Sequence, residues 1–369
     1  MTHWRSALIL LVWVIAGCTP RGTIALDPTA AEVGQQRAVF YSTTRSASDD
    51  PGLVYGTDRT ARASFGRFDM SIPPDRQAGD VSYPQNTPDP STDFVATEAV
   101  VYDDRTSFRR ALARDLRNQP RGERDVVLFV HGFNSTFAEG MIRLAQLAED
   151  LSLPGVAVHY AWPSLNNPLG YSYDRDSVLF GRDGLEALLE ETRAAGAEDI
   201  ILVGHSLGSL MLMETLRQIE IGRPGAASRT VEGVILMSPD IDVDLFRMQA
   251  RRIGDLPQPF LIFTSQRDRA LQLSARLTGQ RERLGNLSDL ERVADLEVTM
   301  LDVSNFRDGT RHLTPATSPT LIALMQDLGS LNAAFQGEQA GRPGLLPGTV
   351  LTVQNATQII LSPVTALSP

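Results

Sequence analysis

The chain of 369 residues contains no lysine. All 34 of its basic side chains are arginine, set against 44 acidic ones for a formal net charge of −10. The missing lysine reads as a coding bias and not as a functional device. The negative balance, with no local basic cluster to reverse it, argues against nucleic acid as a partner. Cysteine is nearly absent too: Cys18 stands alone, so no intramolecular disulfide can form. No His, Cys or carboxylate spacing suggests a metal site, and no glycine-rich loop suggests a nucleotide, so no cofactor is expected. The apolar run at the N-terminus, "SALILLVWVIA", is only 11 residues long, too short for a membrane span.

What is present at that end has its own logic. One arginine, the short apolar run and then "GC" read as a secretory signal over residues 1–17. The stretch "IAGC" (Ile15 to Cys18) resembles the lipobox of bacterial lipoproteins. That resemblance implies that Cys18 is the lipid-bearing first residue of the mature chain. Thr19 in place of Asp, by the same resemblance, implies the outer membrane, with the protein facing the periplasm. The expected membrane partner is therefore reached through the acyl chains. Residues 18–37, polar and rich in small side chains, look like a flexible tether.

One domain is expected over 38–330. It begins with short strand-like runs, "AVFYSTTR", "LVYGT", "FGRFDMSIP" and "FVATEAVVY", with a Pro-rich surface loop over 72–90. A helix is expected over 107–118. From Asp125 onward apolar strands ("VVLFV", "GVAVHYAW", "DIILVG", "VEGVILMS", "PFLIFTS", "LEVTMLDV") alternate with segments of helical period, including 136–151, 176–195 and 209–219. This rhythm predicts an α/β fold: a mostly parallel central sheet, helices on both faces and antiparallel N-terminal strands. The interval between the strands ending near Ser238 and starting near Pro259 leaves no room for a large lid. The tail, 331–369, shifts to Gly, Pro and Thr and is expected to be partly disordered or to add one strand at 349–361.

The chemistry concentrates at "GHSLG". Gly204 and Gly208 let the chain turn sharply from strand to helix, which lifts Ser206 clear of the sheet edge. A serine hydroxyl needs a base. Of five histidines, His3 lies in the signal, His131 and His205 sit inside other motifs, and His159 falls in a strand as a core residue. His312 remains, in a polar loop after the last strand. Asp268, in the loop after "PFLIFTS", supplies the acid and completes the chain order Ser, Asp, His. Asp240 competes for that role, with Asp242 and Asp244 beside it and Asp302 and Asp308 near the histidine. The backbone amides of Phe133 and Leu207 are the candidate oxyanion donors. Asn134 either lends its side-chain amide there or caps the next helix. The long, aromatic stretch 160–177 is expected to overhang the site, so Tyr171 and Tyr173 join Asn134 and His205 as candidate substrate-binding residues.

"HGFNSTFAEGMIRLAQLAEDL", "YAWPS", "GYSYDRDS" and "GHSLG", with "VFYSTTR", "VYGT" and "FGRFDMSIP" upstream, resemble a bacterial α/β-hydrolase family of unknown function over roughly residues 37–330. The resemblance implies an α/β-hydrolase fold with Ser206, Asp268 and His312 as a triad, and says nothing of the substrate. The expected activity is hydrolysis of carboxylic esters, small or lipid-like, by an envelope serine hydrolase through an acyl-enzyme. Amide or peptide hydrolysis on the same triad, or a catalytically silent fold acting as a scaffold, are the alternatives.

Overall fold

A strand built from an uninterrupted apolar run must be covered on both faces. The computed structural model bears this out for the alternating half of the chain. It describes residues 21–84, 87–327, 349–354 and 358–363; the expected signal, Cys18 and the stretch 328–348 lie outside the described residues. The chain opens with β1 (Gln35–Ala47), β2 (Tyr55–Ile72), β3 (Val95–Tyr102) and α1 (Arg105–Asn118). There follow β4 (Val126–Val130), α2 (Phe137–Asp150), β5 (Val156–Ala161), α3 (Tyr171–Ala194), β6 (Ile200–His205) and α4 (Leu207–Gly222). Next come the short α5 (Ala226–Thr230), β7 (Gly233–Met237), α6 (Val243–Ile253), β8 (Phe260–Thr264) and α7 (Arg269–Leu277). The chain continues through β9 (Thr299–Asp302), α8 (Thr314–Thr317), α9 (Pro319–Asp327), β10 (Thr349–Gln354) and β11 (Gln358–Pro363).

All of these strands join one sheet in the order β11-β10-β9-β8-β7-β6-β4-β5-β1-β2-β3. From β10 across to β1 every pairing is parallel, while β1–β2, β2–β3 and β10–β11 are antiparallel. The period-two rule sorts each central strand between two cores. In β4, Val126, Leu128 and Val130 join one cluster with Leu112, Leu185, Leu212 and Phe246 from α1, α3, α4 and α6. Val127 and Phe129 join the other, with Phe137, Met141 and Leu144 from α2. Side chains between β7 and β8 are limited to α6 and its flanking turns, so no large lid covers that edge.

Three elements differ from the sequence reading. "LVYGT" and "FGRFDMSIP" fall largely in one long strand, β2, because β1 pairs along it from Tyr55 to Ile72, with β3 on the other side of Phe65–Ser71 only. Residues 21–37, read as part of a tether, pack onto the domain. Asp27 N–H donates to Ala96 O at 2.8 Å, Asp27 caps a turn over Pro28–Glu32, and Ile24 and Ala30 are buried. Helix α3 begins at Tyr171, five residues before the expected start, so "YSYDRDS" is helical and its side chains point in fixed, divergent directions.

Candidate active site

The parallel strands aim their C-terminal ends at one edge of the sheet, where such folds place ligands. At the end of β6 the chain turns into α4 through Ser206, which adopts φ 53° and ψ −118°. Positive φ is unfavourable for a residue with a Cβ and persists only where neighbours enforce it. Here Ser206 N–H donates to Met237 O at 3.0 Å, and its carbonyl accepts from Ser209 N (3.1 Å) and Asp240 N (3.2 Å). Gly208 is required by close approach: a Cβ there would lie 2.3 Å from Val130 O and 2.5 Å from His131 O. The helix that carries the serine thus rests directly on the end of β4.

Beyond β8, Asp268 is fully buried and caps α7, with Oδ1 accepting from Leu271 N at 3.1 Å. Its Oδ2 meets His312 Nδ1 at 2.7 Å. One carboxylate therefore fixes a helix start and an imidazole together. His312 keeps a quarter of its side chain exposed, and it shares with Ser206 the wall of a cavity of about 100 Å³. Phe133, Tyr171, Asp240 and Leu271 belong to that wall as well. Phe133 follows Gly132, where a Cβ would come within 2.9 Å of Ser206 Cβ, so the loop after β4 runs against the serine turn. Leu207 is the first residue of α4, where an amide has no partner inside the helix.

The other candidate residues divide between this cavity and elsewhere. Tyr171 lines it, edge-on to Phe133 at 5.5 Å between ring centroids, and donates its hydroxyl to Asp240 Oδ2 at 2.9 Å. Tyr173, two residues on and so on another side of α3, does not line it. Arg59 lies 4.1 Å over the Tyr173 ring instead. Asn134 does not cap α2. Its Oδ1 and O accept from Arg21 at 3.1 and 2.6 Å, and Thr136 caps α2. His205 is half-buried beside His312, where desolvation first and the neighbouring His312 second hold its pKa well below the usual value. Its Nε2–H donates to His312 O at 3.2 Å, so it supports the backbone of the histidine loop. His159 is a core residue, pushed down to about 3 by burial, with Nδ1–H donating to Phe129 O.

Among the acids considered, Asp268 is the one that meets His312. Asp240 is held by Arg283 Nε at 2.6 Å and by Ser274 and Tyr171. Asp242 caps α6, Asp244 pairs with Arg292, and Asp302 holds Ser304. Asp308 holds Ser318 and the Thr320 amide.

Two residues that brace the site escaped the sequence reading. Asp174 is buried and accepts from Asn134 N (3.2 Å), Ser164 Oγ (2.5 Å) and Leu165 N (2.7 Å). Arg45, also buried, donates to Ser135 O (2.6 Å), Ser164 O (3.3 Å) and Gly56 O (3.0 Å), and desolvation lowers its guanidinium to about 9. Both tie the loop after β4 to the loop after β5. Asp174 lies within the motif "GYSYDRDS", between its two tyrosines and Asp176.

Residues 104–328, which include Ser206, Asp268 and His312, match a family described as an alpha/beta hydrolase of unknown function (DUF900). The chain belongs to this family. The match takes in α1 through α9 and leaves β1 to β3, with Arg45, outside it. No curated protein matches this alpha/beta hydrolase. Among solved structures it is similar to a hyperthermophilic esterase from the archaeon Pyrobaculum calidifontis, at 13% identity and TM-score 0.34 over 65% of this chain and 95% of that one. An esterase of Pyrococcus furiosus gives 11% identity and TM-score 0.38 over 86% and 96%. Lipase B of Aspergillus fumigatus gives 14% and 0.37 over 61% and 54%.

Proposed function

We propose that this hydrolase cleaves carboxylic esters by an acyl-enzyme mechanism, with Ser206 as nucleophile, His312 as base and Asp268 as the acid that orients it. The observation that carries the reading is the 2.7 Å contact from buried Asp268 to His312 Nδ1, with the imidazole in the same cavity wall as Ser206. With Nδ1–H held by the carboxylate, Nε2 is the free base. It takes the Ser206 proton as Oγ attacks the acyl carbon, and Asp268 stabilises the imidazolium that forms. The Phe133 and Leu207 amides receive the developing oxyanion, each worth roughly 3–4 kcal/mol. The alcohol leaves with the proton from His312, and water releases the acid by the reverse relay. A cavity of about 100 Å³ lies well under the roughly 300 Å³ at which pockets for drug-sized ligands begin. It therefore suits a short acyl or alkoxy portion and leaves the rest of the substrate outside.

The lipobox-like "IAGC" supports an envelope location, with Cys18 acylated and the domain held at the outer membrane facing the periplasm. Mass analysis of the N-terminal peptide of the membrane-extracted chain tests this: an acylated Cys18 is expected, and an unmodified one contradicts it. For the chemistry, Ser206→Ala is assayed on p-nitrophenyl acetate beside the matching anilide. Loss of ester turnover with little anilide turnover in the parent chain supports the proposal. Ester turnover that survives the substitution rejects it.

A further inference from the structure

The wall of the active-site cavity continues outward into a surface that a water-facing enzyme has little reason to keep. Helix α7 buries Leu271 and Ala275, and Ala270, Leu271, Leu273, Ser274 and Leu277 line the cavity. Leu273 and Leu277 nevertheless remain 57% and 63% exposed. Across the mouth, Pro168 lines the cavity and Leu169 beside it is 93% exposed. Apolar side chains gathered at one mouth, unlike single surface leucines, mark a binding surface. Arginines border them. Arg269 lies four residues before Leu273 and Arg276 three after it, so each shares the outer side of the helix with that leucine. Both are exposed and, among the described residues, neither is paired with a carboxylate. In a chain of net charge −10, leucine flanked by free arginine on an outward helix face is the pattern of an element that lies in a membrane interface.

The N-terminal segment fixes the orientation independently. Arg21 grips the loop after β4, donating to Asn134 O and Oδ1 and to Glu139 Oε2 at 2.9 Å. Gly22 N–H adds a bond to Glu139 Oε1 at 3.1 Å. This grip lies one residue from Phe133 in the cavity wall. Cys18 precedes Arg21 by three positions, at most about 11 Å of extended chain. A lipid on Cys18 would therefore hold the mouth of the cavity, and not the opposite edge of the sheet, within reach of the bilayer. Among the described residues no helix is long and apolar enough to cross a membrane, so the contact is peripheral.

We propose that the mouth formed by Leu169, Leu273 and Leu277, with Arg269 and Arg276, rests on an anionic bilayer, and that the substrate is an acyl ester of a glycerophospholipid in that bilayer. This rests on the serine-esterase reading and on acylation of Cys18. The ester carbonyl enters the cavity while an acyl chain lies along the exposed leucines; water adds across the ester, giving a fatty acid and a lysolipid. The test uses the full, acylated chain in vesicles of equal parts phosphatidylglycerol and phosphatidylethanolamine, with p-nitrophenyl acetate as the soluble substrate. Fatty-acid release from the vesicles is expected. In the L169S/R269E/R276E variant the ratio of vesicle to soluble-ester hydrolysis should fall about tenfold or more. Cleavage of p-nitrophenyl acetate with no fatty-acid release, or an unchanged ratio in the variant, overturns the proposal while leaving the esterase reading intact. No cleavage of either substrate by the parent chain overturns both.

Discussion

Replacing Asp268 by Asn separates two jobs that one carboxylate performs. Oδ1 caps α7 through Leu271 N, and Oδ2 holds His312 Nδ1 at 2.7 Å. Asn caps a helix about as well as Asp, so the helix start should survive. The charge that stabilises the imidazolium and selects its tautomer is lost, and because Asp268 is fully buried, no water replaces it. In a serine triad that change costs about 10⁴-fold in kcat, or about 5 kcal/mol at 1.36 kcal/mol per tenfold. Asp240→Asn is the control. It breaks the buried pair with Arg283, which should cost about 3–5 kcal/mol of stability while kcat per folded molecule falls far less. Turnover of p-nitrophenyl acetate and thermal melting, run on both variants, give the comparison. An Asp268→Asn protein that keeps a tenth or more of its kcat, beside an Asp240→Asn protein that loses a thousandfold, would refute the assignment of the acid.

Gly208→Ala places a Cβ 2.3 Å from Val130 O, so the serine turn must move off β4. A shift of about 1 Å there should cost about 10²-fold in kcat with the fold retained by circular dichroism. Asp174→Ala removes the acceptor of Asn134 N, Ser164 Oγ and Leu165 N and leaves the charge of buried Arg45 without its balancing carboxylate. A loss of about 3–5 kcal/mol is expected by denaturant unfolding, and adding Arg45→Met should cost less than the sum of the two single changes. Acid stability follows from the buried histidines. His131 and His159 are held neutral by burial, His159 down to about 3 against an ordinary 6.5, and half-buried His205 is lowered by desolvation and by His312. A depressed pKa means that the unfolded chain binds the proton first. Their penalty is therefore absent above pH 6.5 and grows as pH falls toward 3, by up to about 1.4 kcal/mol per pH unit for each group. Urea midpoints at pH 7.5, 6, 5 and 4 measure it, and a midpoint independent of pH across that range contradicts the neutral assignment.

The alternating half of the fold was legible because two periods meet at Ser206. "IILVG" is a doubly covered strand and "LGSLMLMETL" a helix, and a nucleophile at that junction needs only local geometry. The contact between Asp268 and His312 was legible too, His312 by its place after the last strand and by elimination of the other histidines, Asp268 by its loop and the chain order. What escaped depends on long-range packing. A single arginine at the end of "STTR" gives no sign that it will be fully buried and reach Ser135 and Ser164. Asp174 escaped because α3 starts at Tyr171 after a glycine with no side-chain cap, so its helical direction could not be read. The same early start separates Tyr171, in the cavity wall, from Tyr173, under Arg59. Residues 21–37 carry no apolar period, and hydrogen bonds to Ala96 and Glu139 hold them.

The central claim is that Ser206 is a nucleophile activated in place. Incubating the folded full chain with a fluorophosphonate and mapping the adduct by peptide mass analysis tests it most directly. A single phosphonyl adduct on Ser206, absent in His312→Ala and in the heat-unfolded chain, is the expected result. A folded parent chain that takes up no label, or takes it up on another residue, contradicts the account.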